Sequence, residues 1–106
     1  MITYEDFTKL DLRVGKIVAA EAIEKSEKLL KLQVNLGNEN RTILAGIAKY
    51  YSLEDLLGQL VVIVANLEPR EIMGMKSEGM LLCADSEEGP CLLVPLTQVS
   101  PGSKVK

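Results

Sequence analysis

From Leu30 to Leu36 the chain alternates without a fault: Leu30, Leu32, Val34 and Leu36 are apolar, and Lys31, Gln33 and Asn35 between them are polar. A period of two sends successive side chains to opposite faces of a pleated strand. One face of this segment therefore belongs to a core and the other to solvent. Gly37-Asn38-Glu39-Asn40 reads as a turn. Arg41–Ile47 follows as a third strand, and the pair makes a hairpin.

The remaining segments read around that hairpin. Residues 3–10 predict a short helix, with Thr3 as cap, Asp6 in the positive first turn and Phe7 and Leu10 on one face. Residues 11–23 predict a long strand. Leu12 and Val14 set one apolar phase, and beyond Gly15 and Lys16 the phase moves to Ile17 and Ala19. A glycine at such a switch predicts a bulge, which lets one strand serve two parts of a curled sheet. Ser52 caps a second short helix, with Glu54 and Asp55 in its first turn, Leu53, Leu56 and Leu57 as its buried stripe and Gly58 at its end. Leu60–Ala65 is a continuous apolar run, as expected of a strand covered on both sides. A polar loop is expected from Asn66 to Gly79, a last hairpin from Met80–Ala84 and Pro90–Val94, and a turn-rich tail from Pro95 to Lys106. Helix, three strands, short helix and two or three further strands fit a small Greek-key barrel of OB type. An SH3-like barrel is the rival, although it usually lacks the inserted helix.

Composition removes whole classes of chemistry. The 106 residues make one domain, 1–106, large enough to bury roughly two-thirds of its unfolded surface. With 47% hydrophobic and 25% charged residues the chain is not disordered, and its longest apolar run, the six residues from Leu60 to Ala65, spans no membrane. The N-terminus has no basic stretch and no apolar h-region, so a cytoplasmic location is the expectation. There is no His, which excludes Ser-His-Asp and Cys-His catalysis, and two Cys do not build a four-cysteine zinc site. No catalytic residue, metal site or cofactor is expected. The four aromatics, Tyr4, Phe7, Tyr50 and Tyr51, supply no ladder for stacking bases. Cys83 and Cys91 flank the turn Ser86-Glu87-Glu88-Gly89, and a cytosolic setting favours two thiols over a disulfide.

Five strings carry a resemblance: DLRVGKI (Asp11–Ile17), EKLLKLQVNLG (Glu27–Gly37), RTILAGIAKYY (Arg41–Tyr51), VANLEPR (Val64–Arg70) and SEGMLLCA (Ser77–Ala84). Together, in order over residues 5–105, they closely resemble the OB-fold tRNA-binding domain family. That family includes free-standing dimeric tRNA-binding proteins, the C-terminal domain of methionyl-tRNA synthetase, cofactor domains of eukaryotic synthetase complexes and a bacterial secretion chaperone. The resemblance implies an all-β, five-stranded Greek-key OB barrel. A short helix lies between strands 3 and 4, another at the N-terminus, and extra strand and turn segments at the C-terminus. It implies a non-catalytic homodimer that recognises the shape of folded tRNA, largely independently of sequence, joined through its terminal segments. Such a module acts free-standing or with methionyl-tRNA synthetase to deliver or retain tRNA in protein biosynthesis. A secretion-type chaperone gripping unfolded peptides through Ile72, Met75 and Met80 is the alternative.

The net charge of −3 argues against nucleic acid only until its distribution is considered. The first 53 residues hold most of the cations, and an OB barrel usually carries nucleic acid on the outward face of those strands. Lys31 and Gln33 lie on that face, and Arg41 opens the partner strand. Arg70 and Lys76 belong to the loop that follows Asn66. Ser77, Gly79 and Met80 match the family's Ser-x-Gly-Met motif: a hydroxyl donor, a close backbone approach and a flexible apolar face. The expected tRNA-binding set is thus Lys31, Gln33, Arg41, Lys49, Asn66, Arg70, Lys76, Ser77, Gly79 and Met80. Six of these have a plainer reading beside them. Lys31 and Lys49 are solvated lysines, Arg41 pairs with a nearby Glu, Asn66 caps a turn, Gly79 serves a turn and Met80 is core. Tyr50 and Tyr51 read as packing for the short helix. Arg41→Ala is expected to weaken tRNA binding, and a bulky residue at Ser77 to block it with the fold intact.

Overall fold

In the computed structural model, which describes residues 1–106, the alternating segment forms strand β2 (Leu30–Asn35). It is sandwiched between β1 (Leu12–Ala22) and β3 (Asn40–Ala45), both antiparallel to it. Helix α1 (Tyr4–Phe7) precedes β1. Thr3 Oγ1 accepts from Asp6 N at 3.1 Å, and the Asp6 carboxylate accepts from Thr3 N. The helix is a single turn, shorter than the expected 3–10. Helix α2 (Leu53–Leu56) is capped by the Ser52 hydroxyl on Asp55 N and, of the expected stripe, buries only Leu56, because one turn presents a single residue to the core while Leu53 and Leu57 stay exposed.

Strand β4 (Leu60–Val64) returns along the other edge of β1, and β7 (Met80–Leu81) pairs with β4. The sheet order is β3-β2-β1-β4-β7, and Glu78 N donates to Thr42 O at 2.8 Å to bring the far end back to β3. The result is a nearly closed five-stranded antiparallel barrel of OB type, with α2 between β3 and β4; this excludes the SH3-like order. Its interior holds thirteen buried apolar residues, among them Ile17, Leu32, Val34, Ile43, Val61 and Ile63, all fully excluded from solvent. Truncating such a residue costs about 2–5 kcal/mol when the site cannot collapse. β4 is covered on both sides, as its sequence requires. Val61, Ile63 and Ala65 face the interior, while Leu60 and Val64 are buried on the other face, where Val64 lies opposite Leu12.

The long strand does serve two parts of the sheet. Near Leu12 it pairs with β10 (Lys104–Val105), and from Lys16 onward with β2. The irregularity sits elsewhere than expected. Gly15 keeps the ordinary alternation, and the register shifts between Ile17 and Ala19, around Val18. Ala20, not Ala19, therefore packs against the core. The apparent phase switch at Gly15 arises because Leu12 and Val14 are buried on the opposite face. Gly15 is there for space: a Cβ would lie 2.4 Å from Val34 Cγ1.

Two other segments depart from expectation. The stretch 66–79 is not an open loop. It folds into a hairpin of β5 (Arg70–Ile72) and β6 (Met75–Ser77) over a Met73-Gly74 turn, both of whose residues have positive φ. The last hairpin is β8 (Cys83–Ser86) with β9 (Gly89–Leu92), separate from β7. Tyr51 ties it to the barrel, donating to Pro90 O and accepting from Leu92 N, both at 3.0 Å. Both cysteines are free, and Cys83 lies opposite Leu92 while Cys91 lies opposite Ala84. Neighbouring ladder positions point to opposite faces, so the two thiols cannot meet in a disulfide without rebuilding the hairpin. Burial first, and the neighbouring Cys91 second, push the Cys83 thiol pKa up.

Gly15→Ala is expected to lower stability by about 1–3 kcal/mol through overpacking against Val34, read as a lower denaturation midpoint at unchanged m-value.

Candidate nucleic-acid interface

The polar face of β2 continues onto both neighbours as three ranks set by register. The first is Glu21, Lys31 and Leu44; the second Ala19, Gln33 and Thr42; the third Lys16, Asn35 and Asn40. Hydrogen bonds cross-link this ladder. Gln33 Nε2 donates to Thr42 Oγ1 at 3.0 Å, and Asn35 Nδ2 to Asn40 Oδ1 at 2.8 Å. Lys31 Nζ stands 3.6 Å from Glu21 Oε1, a half-exposed ion pair of the weakly stabilising kind. At the Lys31 end, Ala48 N donates to Lys28 O, which sets the exposed Lys49 beside the start of β2.

Past Leu44 the ladder meets the β5–β6 hairpin, whose β6 strand packs along β3. Between them opens a crevice of about 60 Å³ lined by Arg70, Ile72, Ser77, Gly79 and Met80 with Leu44, Leu67 and Glu68. Four of the expected residues, Arg70, Ser77, Gly79 and Met80, are thus brought to one place. Met80 is 45% exposed, and a Cβ on Gly79 would lie 3.0 Å from Val64 O, which explains the glycine there (φ +154°). Lys76 is exposed on the hairpin, directly across from Glu71. Leu44, Leu67 and Glu68 were not singled out from the sequence. Their apolar or acidic character gives no cue, and only the packing of β6 on β3 brings them together.

Three expected contact residues are engaged in holding the fold. Ser77 is buried, and its hydroxyl accepts from Leu44 N at 3.1 Å and donates to Gly79 O at 3.3 Å. A bulky residue at 77 would therefore disturb the barrel as well as any ligand, contrary to expectation. The Arg41 guanidinium pairs with Glu39 and donates from Nη1 to Ala65 O at 2.7 Å and Glu78 O at 3.1 Å. Asn66 accepts from Asp11 N at 2.8 Å and donates to Lys9 O at 2.7 Å, clamping the segment before β1. Beside that clamp, the hydrogen bond from Arg13 Nε, 2.9 Å away, holds the Asp11 carboxyl below its usual 3.8, against an opposing effect of burial.

The electrostatics are more balanced than the cation count in the first half of the chain implies. Lys31 faces Glu21, Arg41 faces Glu39, Arg70 shares its crevice with Glu68, and Lys76 faces Glu71. A surface of alternating sign attracts a polyanion weakly at long range and selects it by directed contacts at short range.

A small OB barrel with a polar outward ladder and a crevice at a Ser-x-Gly-Met turn is a nucleic-acid-binding architecture. The chain matches the family model tRNA_bind, described as "Putative tRNA binding domain", over residues 12–104, and belongs to that family. It is 50% identical over 105 residues to methionine--tRNA ligase of Thermococcus onnurineus, covering 99% of this chain but only 14% of that protein. Among solved structures, it resembles a MetRS related protein from Pyrococcus horikoshii (TM-score 0.93, 37% identity, 100% of this chain and 98% of that one). It is also similar to the chaperone CsaA from Bacillus anthracis (TM-score 0.89, 33% identity, 100% and 99% coverage).

Arg41→Ala is expected to lower stability by about 1–3 kcal/mol, because it leaves the part-buried Ala65 and Glu78 carbonyls at the seam without this donor. Arg41→Lys should restore only part of this, since an ammonium lacks the planar fork that reaches Glu39 and both carbonyls. Denaturant titration of both variants checks it. For Asp11, whose folded pKa is depressed, the stabilisation is present above the unfolded value and lost as pH falls through the folded one. The stability gap between the protein and Asp11→Asn should therefore be constant at neutral pH and close below about pH 4, as read by thermal melts across an acid series.

Proposed function

We propose that this domain is a non-catalytic tRNA-binding module that recognises folded tRNA by shape. The ladder of Lys31 and Gln33 and the crevice at Arg70, Ser77, Gly79 and Met80 form one continuous surface. The observation that carries this reading is their meeting at Leu44, in a chain belonging to a tRNA-binding family. Phosphate contacts come from Lys31, Lys49, Arg70 and Lys76. Gln33 supplies a directed polar contact, and Met80 an apolar surface for a ribose or base. Ser77, Arg41 and Asn66 hold that surface in shape. Backbone and 2′-OH recognition of this kind distinguishes a folded RNA by its contour and not by its base sequence.

The domain works as a homodimer, free-standing or as the C-terminal part of a methionyl-tRNA synthetase, delivering or retaining tRNA in the cytoplasm. Two copies double the contact surface for a structured RNA. The exposed Ile2, Tyr4, Leu10 and Val99 near the chain ends, and the half-buried Val105, supply an apolar seam for such pairing. No helix is long and apolar enough to cross a membrane. A second reading is favoured by the similarity to a protein named as a chaperone and by Met73 and Met80, 50% and 45% exposed beside the crevice: an adaptable grip for unfolded peptides.

Gel-shift titration with folded tRNA, denatured tRNA and single-stranded DNA at two salt concentrations separates these readings, with a sizing measurement for the dimer. Folded tRNA should bind best, with affinity falling steeply with salt. Lys31→Ala and Lys76→Ala should each reduce the log–log salt slope by about 0.7–0.9. Denatured tRNA competing as well as native tRNA would refute shape recognition, and salt-indifferent peptide binding at the crevice would favour the chaperone reading.

A further inference from the structure

From Tyr50 to Pro69, and again from Ser77 to Ser103, the chain carries neither Lys nor Arg. The fold brings these two stretches together at Tyr51, where α2 meets the β8–β9 hairpin. Two depressions flank this tyrosine. One, of about 280 Å³, runs between α2 and β9 and is lined by Asp55, Leu92 and Val94 among others. The other, of about 270 Å³, runs along the hairpin and includes Tyr50, Pro90 and Glu88. No cation lines either one, and neither shares a residue with the crevice at Arg70 and Met80. The first is lined mainly by apolar side chains and the second by two tyrosines and a proline beside polar turn residues; Tyr50 and Val94 are 51% and 48% exposed, and Leu57 on α2 is 59% exposed. None of the carboxylates of Glu54, Asp55, Asp85, Glu87 and Glu88 forms an ion pair within the chain.

The chemistry of this face selects its occupant. Unpaired carboxylates around an apolar floor repel phosphate, so nucleic acid does not lie here. A neutral apolar segment would bury the floor but leave the acids without partners. Lys and Arg side chains meet both conditions, laying aliphatic stems on apolar surface while their charged heads reach the rim. A cation above the exposed Tyr50 ring gains further attraction. Each depression is roomy enough for one large apolar side chain. We propose that this face docks a basic, amphipathic peptide segment of a partner protein, with one apolar anchor on each side of Tyr51 and Lys or Arg on the rim. The domain then has two chemically opposite faces, and it holds such a partner and a polyanion at the same time.

Fluorescence anisotropy with a labelled synthetic peptide of Leu and Lys in amphipathic order, at physiological salt, tests this on the whole chain. The double variant Asp55→Lys/Glu88→Lys should bind about tenfold more weakly, equivalent to about 1.4 kcal/mol. Glu24→Lys/Glu27→Lys, with the same change in net charge on the β1–β2 connection, should bind nearly as well as the parent. Val94→Glu adds negative charge yet should weaken binding, because an apolar anchor site is lost. Folded tRNA should not displace the peptide. Equal weakening by the control pair, tighter binding by Val94→Glu or displacement by tRNA would each overturn the proposal. So would a change of oligomeric state in the Asp55/Glu88 variant, which would mean that a second copy covers this face. Thermal melts establish that each variant is folded. If the double variant is not, Glu88→Lys alone, at the exposed hairpin turn, carries the test with a smaller expected loss of the same sign. Peptide binding is read without reference to tRNA, so its failure is separate from that of the RNA-binding reading.

Discussion

The seam where β3 meets the Ser77–Gly79 turn holds the barrel shut, and the candidate RNA surface exists only while it does. A five-stranded sheet has two edges, and leaving both open would expose rows of unpaired amides. Here Glu78 N bonds to Thr42 O, the Ser77 hydroxyl takes Leu44 N, and Arg41 reaches Ala65 O and Glu78 O from the other side. The same turn brings Met80 and the β5–β6 hairpin alongside Leu44. Closure and the crevice are one construction.

This construction suits the proposed recognition by contour. A strongly cationic groove would attract any nucleic acid. Acids set beside Lys31, Arg41, Arg70 and Lys76 leave a weak field and place the burden on directed contacts, which a single strand of arbitrary shape satisfies poorly. Five acids without an ion-pair partner, Glu54, Asp55, Asp85, Glu87 and Glu88, lie on α2 and the β8–β9 hairpin, so the net charge of −3 is not spread evenly over the surface.

The parts of the fold legible in the sequence are those governed by a period. Leu30–Leu36 fixes β2 and its register, Ser52 marks α2, and the unbroken run Leu60–Ala65 announces a strand buried on both sides. The bulge around Val18 was misplaced because an apolar phase records which faces are covered, and Leu12 and Val14 are covered on the face opposite the interior. The β5–β6 hairpin had no periodic signal: its strands are three residues long, and its turn uses a methionine at positive φ beside Gly74. At the site, residue types were legible but their tasks were not. A Ser, an Arg and an Asn in a motif look like ligand donors. That Ser77, Arg41 and Asn66 are occupied by main-chain atoms up to 57 residues away follows only from the closed barrel.

Most of those grips end on backbone carbonyls and amides and not on other side chains. A latch that reads only the main chain is indifferent to what the neighbouring positions carry. Glu68 and Lys76, whose side chains make none of these bonds, can vary while the scaffold persists, and the surface can be retuned toward new cargo without rebuilding what supports it.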